Sequence, residues 1–161
     1  MTRNGTVRLA DVGFAAQLLV WAARQWIRID HPCAPAARRL GEAFARLGAS
    51  DALAALDAVL GRLARWACRS LDFRAGGDLT LGRDEQGLID VIDALQAQPA
   101  DRSLCRCQGV AADIVASWVA EEHRPAMQAQ LAELAMALGS AGLRVSCAAR
   151  EAHGSHSQCI H

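Results

Sequence analysis

The chain has 161 residues, 52% of them hydrophobic and only 4% aromatic, and seventeen acidic residues balance seventeen basic ones, all arginine. This length suits one domain with a real core, which no disulfide or metal is needed to hold together. The charge balance leaves no overall field to draw the protein toward nucleic acid or an anionic membrane, and the six scattered cysteines lack the density of a small secreted scaffold.

The apolar content is mainly Ala, Leu and Val, which suits closely packed helices. Residues 1–10 read as a flexible lead-in, and Asp11–Ile29 follows as the first helix. On a helical projection Gln17, Arg24 and Arg28 share a narrow polar stripe, whereas Val12, Phe14, Leu18, Leu19, Val20, Trp26 and Ile27 cover most of the circumference. So apolar a helix needs cover on nearly all sides, and it is expected at the centre of the domain. Arg3 and Arg8 ahead of a run ending in Trp21-Ala22-Ala23 sketch a secretory signal, but Asp11 and Gln17 interrupt it. The run also falls short of the ~18 uninterrupted apolar residues of a membrane span.

Pro32 and Pro35 break the chain, and Pro35 opens a short second helix with Leu40, Ala43, Phe44 and Leu47 on one face, ended by Gly48. Ser50 is the expected N-cap of a third, reaching about Arg69, with Leu53, Leu56, Leu60, Leu63 and Ala67 on one stripe. The helical period is lost from Leu71 to Gly82, a loop with Gly76-Gly77 at its tip. Weak alternation there admits one very short β pairing with Leu143–Val145.

A fourth helix, Arg83 to Gln96, buries Leu88, Val91, Ile92 and Leu95 and starts with Asp84 and Glu85, whose charge suits a helix N-terminus. A fifth, capped by Asp101 or Ser103 and weakened at Gly109, buries Ile114, Val115, Trp118 and Val119. Pro125 ends or kinks it, and a last helix, nearly continuous with the fifth, carries Met127, Leu131, Leu134, Ala135 and Leu138 before Gly139. Residues 146–161 have no apolar period and read as a flexible tail. The fold class expected is therefore all-α, a single-domain bundle of five or six helices over residues 11–145.

The chemical candidates are few. Cys147, His153, His156, Cys159 and His161 supply nitrogen and sulfur ligands for Zn, Ni or Cu in the tail, although without the paired Cys-x-x-Cys knuckles of a zinc module. Elsewhere no cofactor is expected. Cys105 and Cys107 flank Arg106, but on a regular helix they point apart and act together only in a turn. Cys33 near His31 lacks an oxyanion-stabilising loop, and Cys68 within the third helix reads as a small semi-buried hydrophobe. Arg62, Arg65 and Arg69 form a basic ladder suited to an anion or an acidic partner, or to a solvated face. Trp21 beside Gln17, Arg24 and Arg28 is a candidate interface anchor, while Trp26, Trp66 and Trp118 read as core and His123 as a surface residue near a helix end.

No paired carboxylates, phosphate loop or dinucleotide fingerprint are present in the sequence, so no catalytic residue is assigned. These observations point to a non-catalytic, cytoplasmic interaction or regulatory module, with a homodimer as one form of it and Gln17, Trp21, Arg24 and Arg28 as its face. The alternative is a metal-binding or thiol-based sensor using the tail. An enzyme ranks third, and a convergent, partly buried polar cluster is what would raise it. A protein partner or self-association is expected; nucleic acid and a membrane span are not.

Overall fold

Six α-helices account for most of the residues placed by the computed structural model, which describes residues 7–29, 34–97 and 104–146, with the backbone alone for 104–108. They are α1 (Phe14–Trp26), α2 (Pro35–Arg46), α3 (Ser50–Trp66), α4 (Arg83–Gln96), α5 (Leu104–Trp118) and α6 (Arg124–Ser140). Single 3-10 turns, Leu9–Asp11 and Glu121–His123, precede α1 and α6. The architecture is an all-α bundle.

Its core runs between α3 and α6. Leu56, Val59, Leu60 and Leu63 of α3 meet Met127, Leu131, Leu134 and Leu138 of α6, all buried. Burying each such side chain contributes about 1.5–3 kcal/mol. α4 lies along α5 and α6 and adds Leu88, Ile89 and Ile92.

The expected centre is displaced. α1 packs against α2, α3 and α4 on the flank of the bundle, and α6 holds the middle. The reason lies in side-chain size: the buried face of α1 is Ala15, Ala16, Ala22 and Ala23 with Leu19 and Val20, whereas Phe14 and Ile27 are exposed and Leu18, Trp21 and Trp26 half-buried. A helix apolar all round need not be covered all round when its bulkiest residues sit on the outside.

Glycine sets two helix ends. Gly48 (φ 64°) closes α2 and Gly142 (φ 74°) closes α6, each in the left-handed region. At the first, the Gly48 and Ala49 amides donate to the carbonyls of Ala45 and Phe44; at the second, those of Gly142 and Leu143 donate to Gly139 and Leu138. α6 therefore continues through Gly139 rather than stopping before it. Several other expectations shift. Ser50 is the first residue of α3 and makes no capping bond. α3 stops at Trp66, because Ala67 leaves the helix to bridge Val119 and the Cys68 amide donates to the Trp118 carbonyl. That bridge and the Glu121–His123 turn separate α5 from α6, while α5 runs unbroken through Gly109.

No pairing forms between the loop after Leu71 and Leu143–Val145. The side-chain amide of Gln96 substitutes for a strand there, donating to Leu143 O (3.0 Å) and accepting from Val145 N (2.8 Å). The loop pairs instead with the N-terminal segment: Arg8 bridges Thr80, and the amides of Leu9 and Leu81 donate to the carbonyls of Leu79 and Val7. Val7–Ala10 is thus built into the fold. Residues 1–6, His31, Cys33 and the tail with Cys147, His153, His156, Cys159 and His161 lie outside the described residues.

Candidate functional site

The stretch from Cys68 to Gly82 has no helix and only one residue, Thr80, in a bridge, so its backbone donors and acceptors need other partners. Charged side chains of the surrounding helices supply them. Arg24 of α1 is 3% exposed and forms a bidentate pair with Glu85 of α4, Nε to Oε1 at 2.7 Å and Nη2 to Oε2 at 2.8 Å. The same guanidinium donates to the carbonyls of Asp78 (2.6 Å) and Thr80 (2.7 Å). Glu85 in turn accepts from the amides of Arg74 (3.0 Å) and Gly82 (2.8 Å).

A second cluster sits beside it. Arg69 grips Asp84 through Nη2 to Oδ1 (2.6 Å) and Nη1 to Oδ2 (2.9 Å). Asp84 also accepts from the Trp118 indole (2.7 Å) and the Asp72 amide (2.6 Å). Gly82 is required at the junction: a Cβ there would lie 2.1 Å from the Asp72 carbonyl oxygen, closer than any side chain tolerates.

Each buried carboxylate thus accepts four hydrogen bonds, about its full capacity. The electrostatics agree. Hydrogen bonding to Glu85 pushes the Arg24 guanidinium higher still above neutrality. Burial pushes the Asp84 carboxyl up, but its bonds from Arg69, the Asp72 amide and Trp118 outweigh this and leave it below the ordinary carboxylate range. Asp78, capped by the hydroxyl and amide of Thr80, is lowered as well. A carboxylate so occupied has no lone pair left for a substrate proton or a metal, so both clusters act as clamps on the loop.

Next to the clamps a cleft of about 900 Å³ opens between α4 and α5, with Asp72, Arg74, Arg83, Asp90, Asp113 and Trp118 in its walls. Both signs of charge line it, and Asp90 accepts from Gln86 at 2.9 Å. A second, more apolar hollow of about 520 Å³ lies between the end of α1, α3 and the loop, with Trp26, Leu60, Phe73 and Cys68 among its walls. Among the described residues no three His, Cys, Asp or Glu side chains are grouped to hold a metal ion, and no helix is long and apolar enough to cross a membrane.

The expected interaction face does not survive intact. Arg24 is turned inward, leaving Gln17, Trp21 and Arg28 on the outer side. Gln17 donates to the Val12 carbonyl at 2.8 Å. The arginine ladder is likewise dispersed: Arg62 stacks over the Trp66 ring at 5.2 Å, Arg65 is exposed, and Arg69 belongs to Asp84. Trp66 also stacks against His123 (4.4 Å), and Trp26 donates to Asp57 (2.7 Å), so of the three tryptophans read as core only Trp118 is buried. Cys68 lies past the helix end, exposed and free, and the side chains of Cys105 and Cys107 are outside the described residues.

Asp84 and Glu85 carry the clamps, yet in sequence they read only as helix-start acids. A signal for them does exist. Glu85 stands three residues after Gly82, the spacing at which a carboxylate reaches back to a cap amide, and Arg24 is the one charged residue between Phe14 and Trp26. No protein-family model matches the chain, and no curated protein or solved structure matches it either.

Proposed function

We propose that the protein is a non-catalytic helical interaction module whose docking surface is the outer face of α1. The observation that carries this reading is the run of uncharged side chains left wholly or partly exposed there. Phe14 is 64% exposed, Gln17, Leu18, Trp21 and Gln25 are half-buried on the same side, and the helix's own charge, Arg24, is turned away. Apolar residues gathered on one face mark interaction sites more often than singly scattered ones, and tryptophan is the commonest anchor in such sites. The saturated carboxylates support the same reading, because they stiffen a scaffold rather than offer acid–base chemistry. A cytoplasmic setting, in which the exposed Cys68 thiol stays reduced, fits it too.

Capture from a lysate of the source cells tests the proposal. Phe14→Glu places an acid in the first turn of α1, which the helix dipole favours, so folding is preserved. Proteins retained by the wild type and by Met136→Glu, altered at an equally exposed site on α6, are expected to be lost with Phe14→Glu. Retention unaffected by Phe14→Glu overturns it.

A further inference from the structure

We propose that the cleft between α4 and α5 binds a short zwitterionic peptide of about three residues, its C-terminal carboxylate at Arg83 and its N-terminal ammonium at Asp113. At about 900 Å³ the cleft has the size of a small-ligand site. α1 contributes no residue to it, so the site is independent of the docking face.

The charges of the cleft are sorted by end. The Trp118 indole donates to Asp84 in the first turn of α4, and a Cβ on Gly87, one turn on, would meet Trp118 at 3.1 Å and Ile114 at 3.2 Å. Advancing along α4 therefore means going back along α5, and the two helices run antiparallel. Asp113, which precedes Ile114, stands toward Asp90, whereas Arg83 stands at the opposite end. Arg83 and Asp90 are two turns apart on α4, about 10 Å.

Most of the remaining charge is already spent. Asp72 pairs with Arg74 at 3.3 Å and accepts from the Arg83 amide at 2.8 Å, and Asp84 belongs to Arg69. The guanidinium of Arg83 and the carboxylate of Asp113 are exposed, and among the described residues neither has an ion pair or hydrogen bond. One end thus offers an uncommitted cation and the other an uncommitted anion, with Asp90 adding negative charge beside it. A ligand with a single charge answers one end and meets like charge at the other. A zwitterion answers both, provided that its charges are far enough apart. A single amino acid is too short, whereas three extended residues span up to about 10 Å. Leu81, Val110 and Ile114 supply apolar wall for their side chains.

Ligand-observed NMR titration of the full chain with alanyl-leucyl-alanine and with triglycine tests the proposal. Saturable binding with a Kd on the order of 100 µM is expected for at least one of them. Amidating its C-terminus, or acetylating its N-terminus, is expected to weaken it about 10-fold or more. Arg83→Gln weakens the free peptide as much yet leaves the amide unchanged, and Asp113→Asn does the same with respect to the acetylated form. A merely structural role would instead move free and capped peptides together. Both residues are exposed, and melting temperatures close to wild type show that the fold is intact. The proposal is overturned if neither free tripeptide saturates by about 10 mM, if capping has no effect, or if the substitutions weaken free and capped peptides alike.

Discussion

Both oxygens of Asp84 are occupied by partners from three parts of the chain: Arg69, the amide of Asp72 and the indole of Trp118. These bonds hold its carboxyl below the ordinary range although burial opposes them. The sign of the pH effect follows. A carboxyl lowered in the folded state contributes stability that is complete above its unfolded pKa of about 3.9 and is lost as pH falls through the folded value. The melting temperature is therefore expected to drop on acidification below about pH 4, and Asp84→Asn to flatten that dependence by up to about 1.4 kcal/mol per pH unit while lowering stability at neutral pH. Calorimetric scans across that interval check it, and equal slopes in the two proteins would remove Asp84 from the acid response. At this scale sequence reading is weakest. Arg24 falls on the same projected stripe as Gln17 and Arg28, and nothing local reveals that its partner, Glu85, lies 61 residues away.

The loop from Cys68 to Gly82 is the element that depends most on such distant partners. The Arg24–Glu85 pair holds four backbone groups of that stretch: the carbonyls of Asp78 and Thr80 and the amides of Arg74 and Gly82. Glu85→Gln leaves the buried guanidinium without its counter-charge and is expected to cost about 3–5 kcal/mol. Many buried pairs can be exchanged for apolar residues with little loss. Here the Arg24→Leu/Glu85→Leu double change strips partners from four backbone groups, each worth about 1–3 kcal/mol when buried, so it remains strongly destabilised. Urea unfolding measures both, and a double variant as stable as wild type would refute the clamp. Regular elements were far more legible than this one. Arg83–Gln96 carries its apolar period and acidic start openly, and the helix appears over those residues. The Leu143–Val145 pairing failed because a side-chain amide, that of Gln96, took the place of a strand, which no strand pattern can anticipate.

For the molecule as a whole, the all-α bundle follows from periodicity, but the arrangement of its helices does not. The apolarity of α1 suggests the centre, and the centre belongs to α6, because alanines bring α1 close to its neighbours on one side while Phe14 stays exposed and Trp21 half-buried. The apolar surplus on that helix is thus an outer surface, and the protein's proposed role rests on its being covered in use. Phe14 and Met136 provide a matched pair for testing this, 64% and 66% exposed on different helices. Hydroxyl-radical footprinting of the full chain, compared between dilute purified protein and a lysate of the source cells, reads both at once. Protection of Phe14 and Trp21 in the lysate with Met136 unchanged is the result expected of a docking face; Phe14 equally reactive in both settings would contradict it.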